Sequence, residues 1–433
     1  MQTPKNKRLF FVVAWMVVVV GIQAQTVHEE IMKDVRCSAG SFAFYPAPPD
    51  DCLTPAPEGK RPFSISHYGS HGARYHNNSE MYDAPWAVLA SADSAGCLTT
   101  LGRDVLYRLE VIRQDATERW GELTEKGAQQ QRDVMRRMIE RFPEVFTDDA
   151  FVEGRSTSTT RCILSMENAL LQAALMRPLL FRQNATQRDM HYMSLQIRRI
   201  FSLRLDRRSQ ALYNAFEKKY AVFERLLGSL FSDTAYVRQH VDGSQFCRDL
   251  FRVASNIQST ELRDRLTLYD VFTPEELYRL WKCQNAWLYV NNGAVTTNGG
   301  QKPFSQSNLV RKMIEMADTA FLSPHPSAEL RFGESDGIIP LACLLEVGGY
   351  GLATDDLESL DSLGWADYRI SPMGANLQLV FYRKDAADDD IWVKVLLNER
   401  ETTLPLPTDH APYYHWRDFR EYYIKKIEDY EKR

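Results

Sequence analysis

The stretch that decides the fold is residues 63–74, which reads FSISHYGSHGAR. Its first half alternates apolar and polar residues, a pattern typical of a β-strand. The strand leads directly into a loop in which Gly69 and Gly72 flank His71, and glycine permits tight turns and close backbone approach to a ligand. Arg74 follows three positions later. An unprotonated imidazole at this junction is suited to attack phosphorus, while a guanidinium group holds the phosphate oxygens.

Two further units of the same kind follow along the chain. In the first, residues 151–152 predict a short strand that leads into Arg155, and residues 161–175 have the pattern of a helix. In the second, residues 328–332 alternate like a strand and lead through a glycine-containing turn into an apolar helix at 338–346. Three strand–loop–helix units predict the α/β class, with an open, mostly parallel sheet flanked by helices.

Such a sheet brings together residues that are distant in sequence. Ligands of open α/β sheets bind in a crevice beyond the carboxyl ends of the strands. His71, Arg155 and Glu334 each lie near the end of a predicted strand. We therefore expect these three side chains to face one crevice.

The domain organisation follows from a change of pattern in the middle of the chain. At 433 residues the chain is too long for one small core. Residues 187–320 have apolar residues at helical spacing and few strand signals, which predicts an inserted α-helical domain. Residues 25–186 and 321–433 then form the α/β core.

The N-terminus has the features of a secretory signal peptide. Three basic residues precede an unbroken apolar run at 9–20, and small residues follow, so residues 1–24 are predicted to be removed by cleavage after Ala24. The apolar run falls short of the ~20 residues needed to span a bilayer. We expect a periplasmic or secreted protein with no stable membrane anchor after cleavage.

Composition and motifs narrow the classes of partner. Hydrophobic residues make up 44% and charged residues 25% of the chain, which is typical of a globular protein and argues against disorder. The net charge of -5 argues against a nucleic-acid partner. The sequence contains no phosphate-binding Gly-x-x-x-x-Gly-Lys loop, no His-Glu-x-x-His metal helix and no dinucleotide fingerprint. We expect neither a cofactor nor a metal.

Export would permit disulfide bonds among the seven cysteines. The pairs to test first are Cys37 with Cys52 and Cys247 with Cys283, although spacing alone does not fix the connectivity.

The His71 loop resembles the Arg-His-Gly-x-Arg-x-Pro signature of the histidine acid phosphatases. Residues 123–129, LTEKGAQ, resemble the Leu-Thr-x-x-Gly-x-x-Gln helix start of that family. Residues 155–165, including Arg161 and Ser165, resemble the segment that supplies a further phosphate-binding arginine, identified here as Arg155. Stretches near the C-terminus, 371–376, 393–399 and 412–416, are similar to bacterial multiple inositol-polyphosphate phosphatases.

The resemblance covers nearly the whole chain and implies both a reaction and a set of roles. The protein would hydrolyse phosphomonoesters, in particular inositol polyphosphates such as phytate, through a phosphohistidine on His71. Arg74 and Arg155 would hold the phosphate, and Asp336 would protonate the leaving oxygen. The implied partner is a small phosphorylated substrate.

Two departures from the family pattern affect the site. Ser70 stands where the family has its first arginine, so it would take that place against the substrate. Glu334 replaces the distal histidine of a Gly-His-Ala-Glu motif. Losing one charge-assisted hydrogen bond costs ~1.5–3 kcal/mol. A carboxylate about 4 Å from a phosphate oxygen repels it by ~4 kcal/mol at an effective dielectric of 20.

These departures leave alternatives open. If the site turns over, we expect the rate to rise steeply below neutral pH, because Glu334 and the phosphate would then share a proton. The alternative is a binding protein that retains Arg74 and Arg155 for a phosphorylated ligand and turns over slowly or not at all. A cytoplasmic relative of the phosphoglycerate mutases is disfavoured by the predicted signal peptide.

Overall fold

The computed structural model of the protein describes residues 26–49, 52–178, 180–193, 206–221 and 223–432. The predicted signal peptide, residues 1–24, lies outside the described residues. No helix in these ranges is both long enough and apolar enough to cross a membrane.

A single mixed sheet of eight strands organises the described residues. The strands are β1 (Arg61–Ser70), β2 (Phe151–Ser156), β3 (Leu180–Asn184), β4 (Ser327–Gly333), β5 (Asn376–Arg383), β6 (Trp392–Leu397), β7 (Arg400–Glu401) and β8 (Tyr413–His415). Their order is β3-β2-β4-β1-β5-β6-β7, with β8 paired to β6. The first four strands in this order are parallel, and the remaining pairings are antiparallel. The predicted α/β class with a mostly parallel core is confirmed.

Helices flank this sheet and fill the middle of the chain. The α-helices of the described ranges are α1 (Val27–Lys33), α2 (Glu80–Ser94), α3 (Thr100–Ala116), α4 (Glu125–Arg141), α5 (Thr160–Met176), α6 (Gln187–Met190), α7 (Arg207–Tyr220), α8 (Glu224–Leu230), α9 (Thr234–His240), α10 (Gly243–Ile257), α11 (Pro274–Asn292), α12 (Ser307–Ala320), α13 (Ile338–Leu345), α14 (Asp367–Ile370) and α15 (Trp416–Glu431). Short 3-10 helices include Val35–Phe42 and Ser335–Gly337.

The register of the parallel strands aligns their carboxyl ends. Ser70 at the end of β1 pairs with Gly333 at the end of β4, and Ser156 at the end of β2 pairs with Phe332. The residues that follow these three strands therefore emerge at one edge of the sheet, where His71 and Glu334 lie.

A close contact between two glycines fixes the loop after β1. A Cβ atom on Gly72 would collide with the carbonyl oxygen of Gly127, and one on Gly127 would collide with that of Ala73. Thr124 caps α4 by accepting from the Gly127 amide at 3.2 Å, and its hydroxyl donates to the Ala73 carbonyl at 3.1 Å. The N-terminus of α4 is thus pressed against the loop, which explains the glycine in each segment.

The buried side chains form separate clusters on the two faces of the sheet and within the helical layer. Ile65 and Leu330 pack against α4 and α5 on one face, and Phe381 packs with α12, α13 and α15 on the other. The third cluster joins α10 and α11 to α1, α2 and α3. Helices α10 and α11 therefore share their core with N-terminal helices, whereas α7 and α12 pack in the cluster that contains Phe381. The domain boundaries at 187 and 320 remain a prediction.

The structure contains no strand between residues 187 and 320 within the ranges it describes. All seven cysteines lie in those ranges and are free thiols. The disulfide pairs proposed from the sequence are therefore not formed in this structure.

Candidate active site

His71 is the first residue after β1 and is almost completely buried, with 1% of its side chain exposed. Its amide donates to the Gly333 carbonyl at 3.1 Å, which ties the loop to β4. Its Nδ1 lies 2.9 Å from the carbonyl oxygen of Gly72. Because a carbonyl oxygen only accepts hydrogen bonds, this contact requires the proton to be on Nδ1. The lone pair is then on Nε2, which faces the arginines.

Electrostatics keep this imidazole neutral. Burial, together with the charges of Arg74 and Arg161, lowers the pKa of His71 to about 3. A neutral imidazole with a free Nε2 is the form that attacks phosphorus.

Two arginines provide positive charge around Nε2. The Nε of Arg74 lies 3.4 Å from Nε2 of His71, and its Nη1 donates to the Tyr75 carbonyl at 2.8 Å. Burial and the charge of Arg161 lower the pKa of Arg74 to about 10, so Arg74 remains a cation at neutral pH. Arg161 lies in the first turn of α5. Its Nε is buried without a hydrogen-bond partner within the described part of the chain. An unpaired guanidinium donor at a helix N-terminus suits an anionic ligand.

Glu334 lies between the imidazole and Arg161. Its Oε2 is 2.6 Å from Nη2 of Arg161 and 3.7 Å from Nε2 of His71, and 35% of the side chain is exposed. Burial opposes its ionisation, but the Arg161 guanidinium holds the pKa of Glu334 below its usual value. An ionised carboxylate therefore stands where a phosphoryl oxygen would approach His71.

Two glycines and a tyrosine fix the turn that carries Glu334 and Asp336. A Cβ atom on Gly333 or on Gly337 would collide with the hydroxyl group of Tyr68, which is completely buried beneath the turn. Asp336 lies in the 3-10 helix of this turn and lines the same cavity as Arg74. The turn thus places the expected proton donor beside the arginine.

Ser70, which stands where the family pattern has an arginine, is the last residue of β1 and forms its hydrogen bonds inside the protein. It is completely buried, and its hydroxyl donates to the carbonyl of His71 at 3.3 Å. Its own carbonyl accepts a hydrogen bond from Gln131 at 3.1 Å. Ser70 therefore supports the loop. Its contact with substrate remains a prediction, and the hydroxyl would have to rotate away from the His71 carbonyl to make that contact.

The structure does not bring Arg155 to this group, contrary to the expectation from sequence. Strand β2 continues to Ser156, so Arg155 lies within the strand and shares a face with Glu153. Its Nη2 is 2.6 Å from Glu153, and its Nη1 is bonded to Glu329 on β4. Two carboxylates thus hold its guanidinium group away from the carboxyl edge of the sheet.

The arginine that sequence reasoning missed is Arg161. It belongs to the same quoted segment, but the first turn of the following helix, and not the strand end, places it at the site. Ser165, one turn later, accepts a hydrogen bond from the Gly72 amide at 3.1 Å and so joins α5 to the loop. The sequence did contain a signal for this position, namely the predicted start of the helix after β2. A cation in the first turn of that helix lies at the carboxyl edge of the parallel sheet, where the site is.

A cavity of about 510 Å³ opens beside Arg74 and Asp336 and extends between α7, α10 and α11. Within the described ranges, no group of three or more His, Cys, Asp and Glu side chains could hold a metal ion.

Comparison with known proteins supports the fold. No protein-family model matches the sequence, and no curated protein matches it. Among solved structures, the Bifidobacterium longum multiple inositol polyphosphate phosphatase in complex with phosphate has a TM-score of 0.76 at 15% identity, over 89% of this chain and 97% of that one. This chain has the histidine acid phosphatase fold.

Two further structures agree with that assignment. The complex of the Bifidobacterium longum phosphatase with inositol hexasulfate has a TM-score of 0.75 at 14% identity, with the same coverage of 89% and 97%. The phytase from D. castellii has a TM-score of 0.71 at 14% identity, over 96% of this chain and 89% of that one. The family fold predicted from sequence motifs is confirmed. At these identities the likeness concerns the fold, and activity has to be argued from the site.

Proposed function

We propose that this chain is an exported phosphatase that hydrolyses phosphomonoesters through a phosphohistidine on His71. The observation that carries the proposal is the state of that imidazole. Its Nδ1 is engaged with the Gly72 carbonyl, and its Nε2 lies 3.4 Å from the Arg74 guanidinium. A neutral, oriented nucleophile beside a phosphate-binding cation is the arrangement that covalent phosphoryl transfer requires.

The reaction proceeds in two steps. In the first, Nε2 of His71 attacks phosphorus, the bond from phosphorus to the ester oxygen breaks, and Asp336 donates its proton to the departing alkoxide. In the second, water attacks the phosphohistidine, the phosphorus–nitrogen bond breaks, and Asp336 recovers a proton from the water. Arg74 and Arg161 hold the phosphoryl oxygens and balance their charge in both steps. His71 returns to its neutral form when phosphate leaves.

Glu334 sets the condition under which this reaction runs. Its carboxylate already accepts a hydrogen bond from Arg161 at 2.6 Å. A phosphoryl group that approaches His71 must displace this carboxylate or bind when it is protonated. We therefore expect faster turnover in acid, in agreement with the expectation from sequence.

Inositol polyphosphates are one candidate substrate class, because a solved structure of similar fold binds inositol hexasulfate. The second candidate function is a binding protein with little or no turnover. The contact between Glu334 and Arg161 favours it, since one cation of the site is already neutralised in the free protein.

Turnover of p-nitrophenyl phosphate by the purified protein, from about pH 3 to about pH 8, tests the proposal. We expect activity that His71→Ala abolishes and that His325→Ala leaves unchanged, because His325 is exposed and pairs with Asp149 at the surface. Quenching in alkali should trap a phosphorylated protein, and His71→Ala should not be labelled. Activity that survives His71→Ala would exclude this mechanism. Binding of phosphate without turnover would favour the binding protein.

A further inference from the structure

We propose that the cavity beside His71 selects phosphomonoesters whose alcohol carries a large apolar group, preferably an aromatic one. The inference rests on the proposed function and names the class of substrate for the same site. Its basis is the composition of the cavity wall, which has extensive apolar surface and paired charges.

The apolar part of the wall comes mainly from two helices. Phe251 on α10 and Leu280, Trp287 and Leu288 on α11 line the cavity together with Ile339 of α13. Trp287 contributes a large apolar surface to this wall, and 46% of the residue is exposed. An exposed indole on the wall of a concave site is released from water when an apolar ligand covers it.

The positive and negative charges of the cavity wall are nearly equal in number. Among the described residues that line the cavity, the cations are Arg74, Arg248 and Arg252, and the anions are Glu217 and Asp336. Arg248 lies 3.2 Å from Glu217, which also accepts a hydrogen bond from the Tyr213 hydroxyl at 2.9 Å.

The remaining arginines of the wall also have partners. Nη1 of Arg252 lies 2.9 Å from Oδ1 of Asp249. The guanidinium of Arg74 contacts Nε2 of His71 and donates a hydrogen bond to the carbonyl oxygen of Tyr75. Among the residues that the structure describes, the wall therefore has no surplus of unpaired cations to receive several additional phosphates. A polyphosphate would have to break these ion pairs to gain equivalent ones, whereas an apolar alcohol leaves them intact.

The polar and apolar parts meet at Arg74. The centre of its guanidinium lies 5.7 Å from the centroid of the Phe42 ring, and both side chains line the cavity. A substrate can therefore place its phosphoryl group at Arg74 and His71 and its aromatic group against the neighbouring apolar wall.

Binding of non-hydrolysable phosphonates by calorimetry tests the inference independently of turnover. The probes are the phosphonates 1-naphthylmethylphosphonate and methylphosphonate and the phosphate ester phytate, which is compared with the naphthyl compound in the His71→Asn variant so that it is not hydrolysed. We expect the naphthyl compound to bind about tenfold or more tightly than methylphosphonate, and more tightly than phytate. Trp287→Ala should weaken the naphthyl compound by about fivefold or more and methylphosphonate by less than about twofold. Tyr107→Ala is the matched control, because Tyr107 is an exposed aromatic residue of α3 that does not line the cavity.

The same measurements in a Glu334→Gln background remove competition from the carboxylate. Three results in the Glu334→Gln background would overturn the inference. They are equal affinities for the naphthyl and methyl compounds, no binding of the naphthyl compound, and tighter binding of phytate than of the naphthyl compound. A retained naphthyl preference without His71-dependent turnover of 1-naphthyl phosphate would contradict the proposed function alone. Faster turnover of phytate than of 1-naphthyl phosphate would support the proposed function and reject the apolar substrate class.

Discussion

Replacing Glu334 by glutamine should strengthen phosphate binding, because the substitution removes a negative charge from the place where the phosphoryl group must lie. Oε2 of Glu334 is 3.7 Å from Nε2 of His71. A phosphorus atom poised for attack lies about 3–3.5 Å from the same nitrogen. Its oxygens would then approach the carboxylate to roughly 4 Å, where one charge pair repels by about 4 kcal/mol at an effective dielectric of 20.

Solvent reduces this figure, since 35% of the Glu334 side chain is exposed. We expect a net effect of about 1.5–3 kcal/mol, which corresponds to roughly ten- to a hundredfold in affinity. The release of Arg161 acts in the same direction, because its Nη2 would no longer be held by a carboxylate at 2.6 Å. Glutamine retains the size of the side chain and can still contact Arg161 through its carbonyl oxygen.

Isothermal titration with inorganic phosphate at pH 7 measures the effect directly. Glu315→Gln on α12 is the matched control, because Glu315 is exposed and pairs with Lys312 at the helix surface. The control should leave the affinity unchanged. Unchanged or weaker phosphate binding in Glu334→Gln would refute the electrostatic reasoning and would mean that Glu334 assists the anion, for example by positioning Arg161.

Further substitutions test the arginine assignment, the packing of the turn and the nucleophile. Arg161→Ala should lower kcat/KM by about a hundredfold. Arg155→Ala should lower the free energy of unfolding, measured by urea denaturation, by about 3 kcal/mol, because it removes the partner of Glu153 and one of the two arginines beside Glu329. Gly337→Ala should destabilise the protein by about 1–3 kcal/mol, because its Cβ collides with the Tyr68 hydroxyl, and Tyr68→Phe should restore part of the lost melting temperature. His71→Asn should abolish turnover in the p-nitrophenyl phosphate assay and retain phosphate binding by calorimetry within about tenfold.

The fold could be predicted because its signals are local. The alternation before His71 and the glycines around it fix a strand and a turn, and Thr124 marks the start of α4. The order of the strands was not accessible in the same way. It depends on pairings between distant segments, such as β1 between β4 and the antiparallel β5. The sharing of one core by α10, α11 and the N-terminal helices is likewise a property of long-range packing.

The site was less predictable than the fold because it depends on where single side chains point. His71 and Glu334 follow strand ends and do meet, as the register of β1 and β4 requires. Arg155 was misplaced because β2 continues one residue beyond it, and the alternation of the strand directs it to Glu153. Arg161 was recognised in the sequence but was given no role. Its position depends on the first turn of α5, a boundary that sequence patterns locate poorly.

The charge balance of the site leads to a test that separates Glu334 from the other titrating groups. Arg74 and Arg161 supply two positive charges and Glu334 removes one, so the free site fits a monoanionic phosphate better than a dianionic one. The dianion of a phosphomonoester takes up a proton near pH 6 and becomes a monoanion. Because the pKa of Glu334 is held below its usual value, its own protonation should accelerate turnover only at lower pH.

The profile of kcat/KM against pH should therefore rise in two stages as the pH falls, until protonation of His71, whose pKa is lowered to about 3, removes the nucleophile. The rise near pH 6 belongs to the ester and should persist in Glu334→Gln. The rise below the ordinary range of carboxyl groups belongs to Glu334 and should disappear in that variant. A wild-type profile without a second rise below about pH 4, or a low-pH rise of equal size in Glu334→Gln, would show that the carboxylate does not control access of the phosphoryl group to His71.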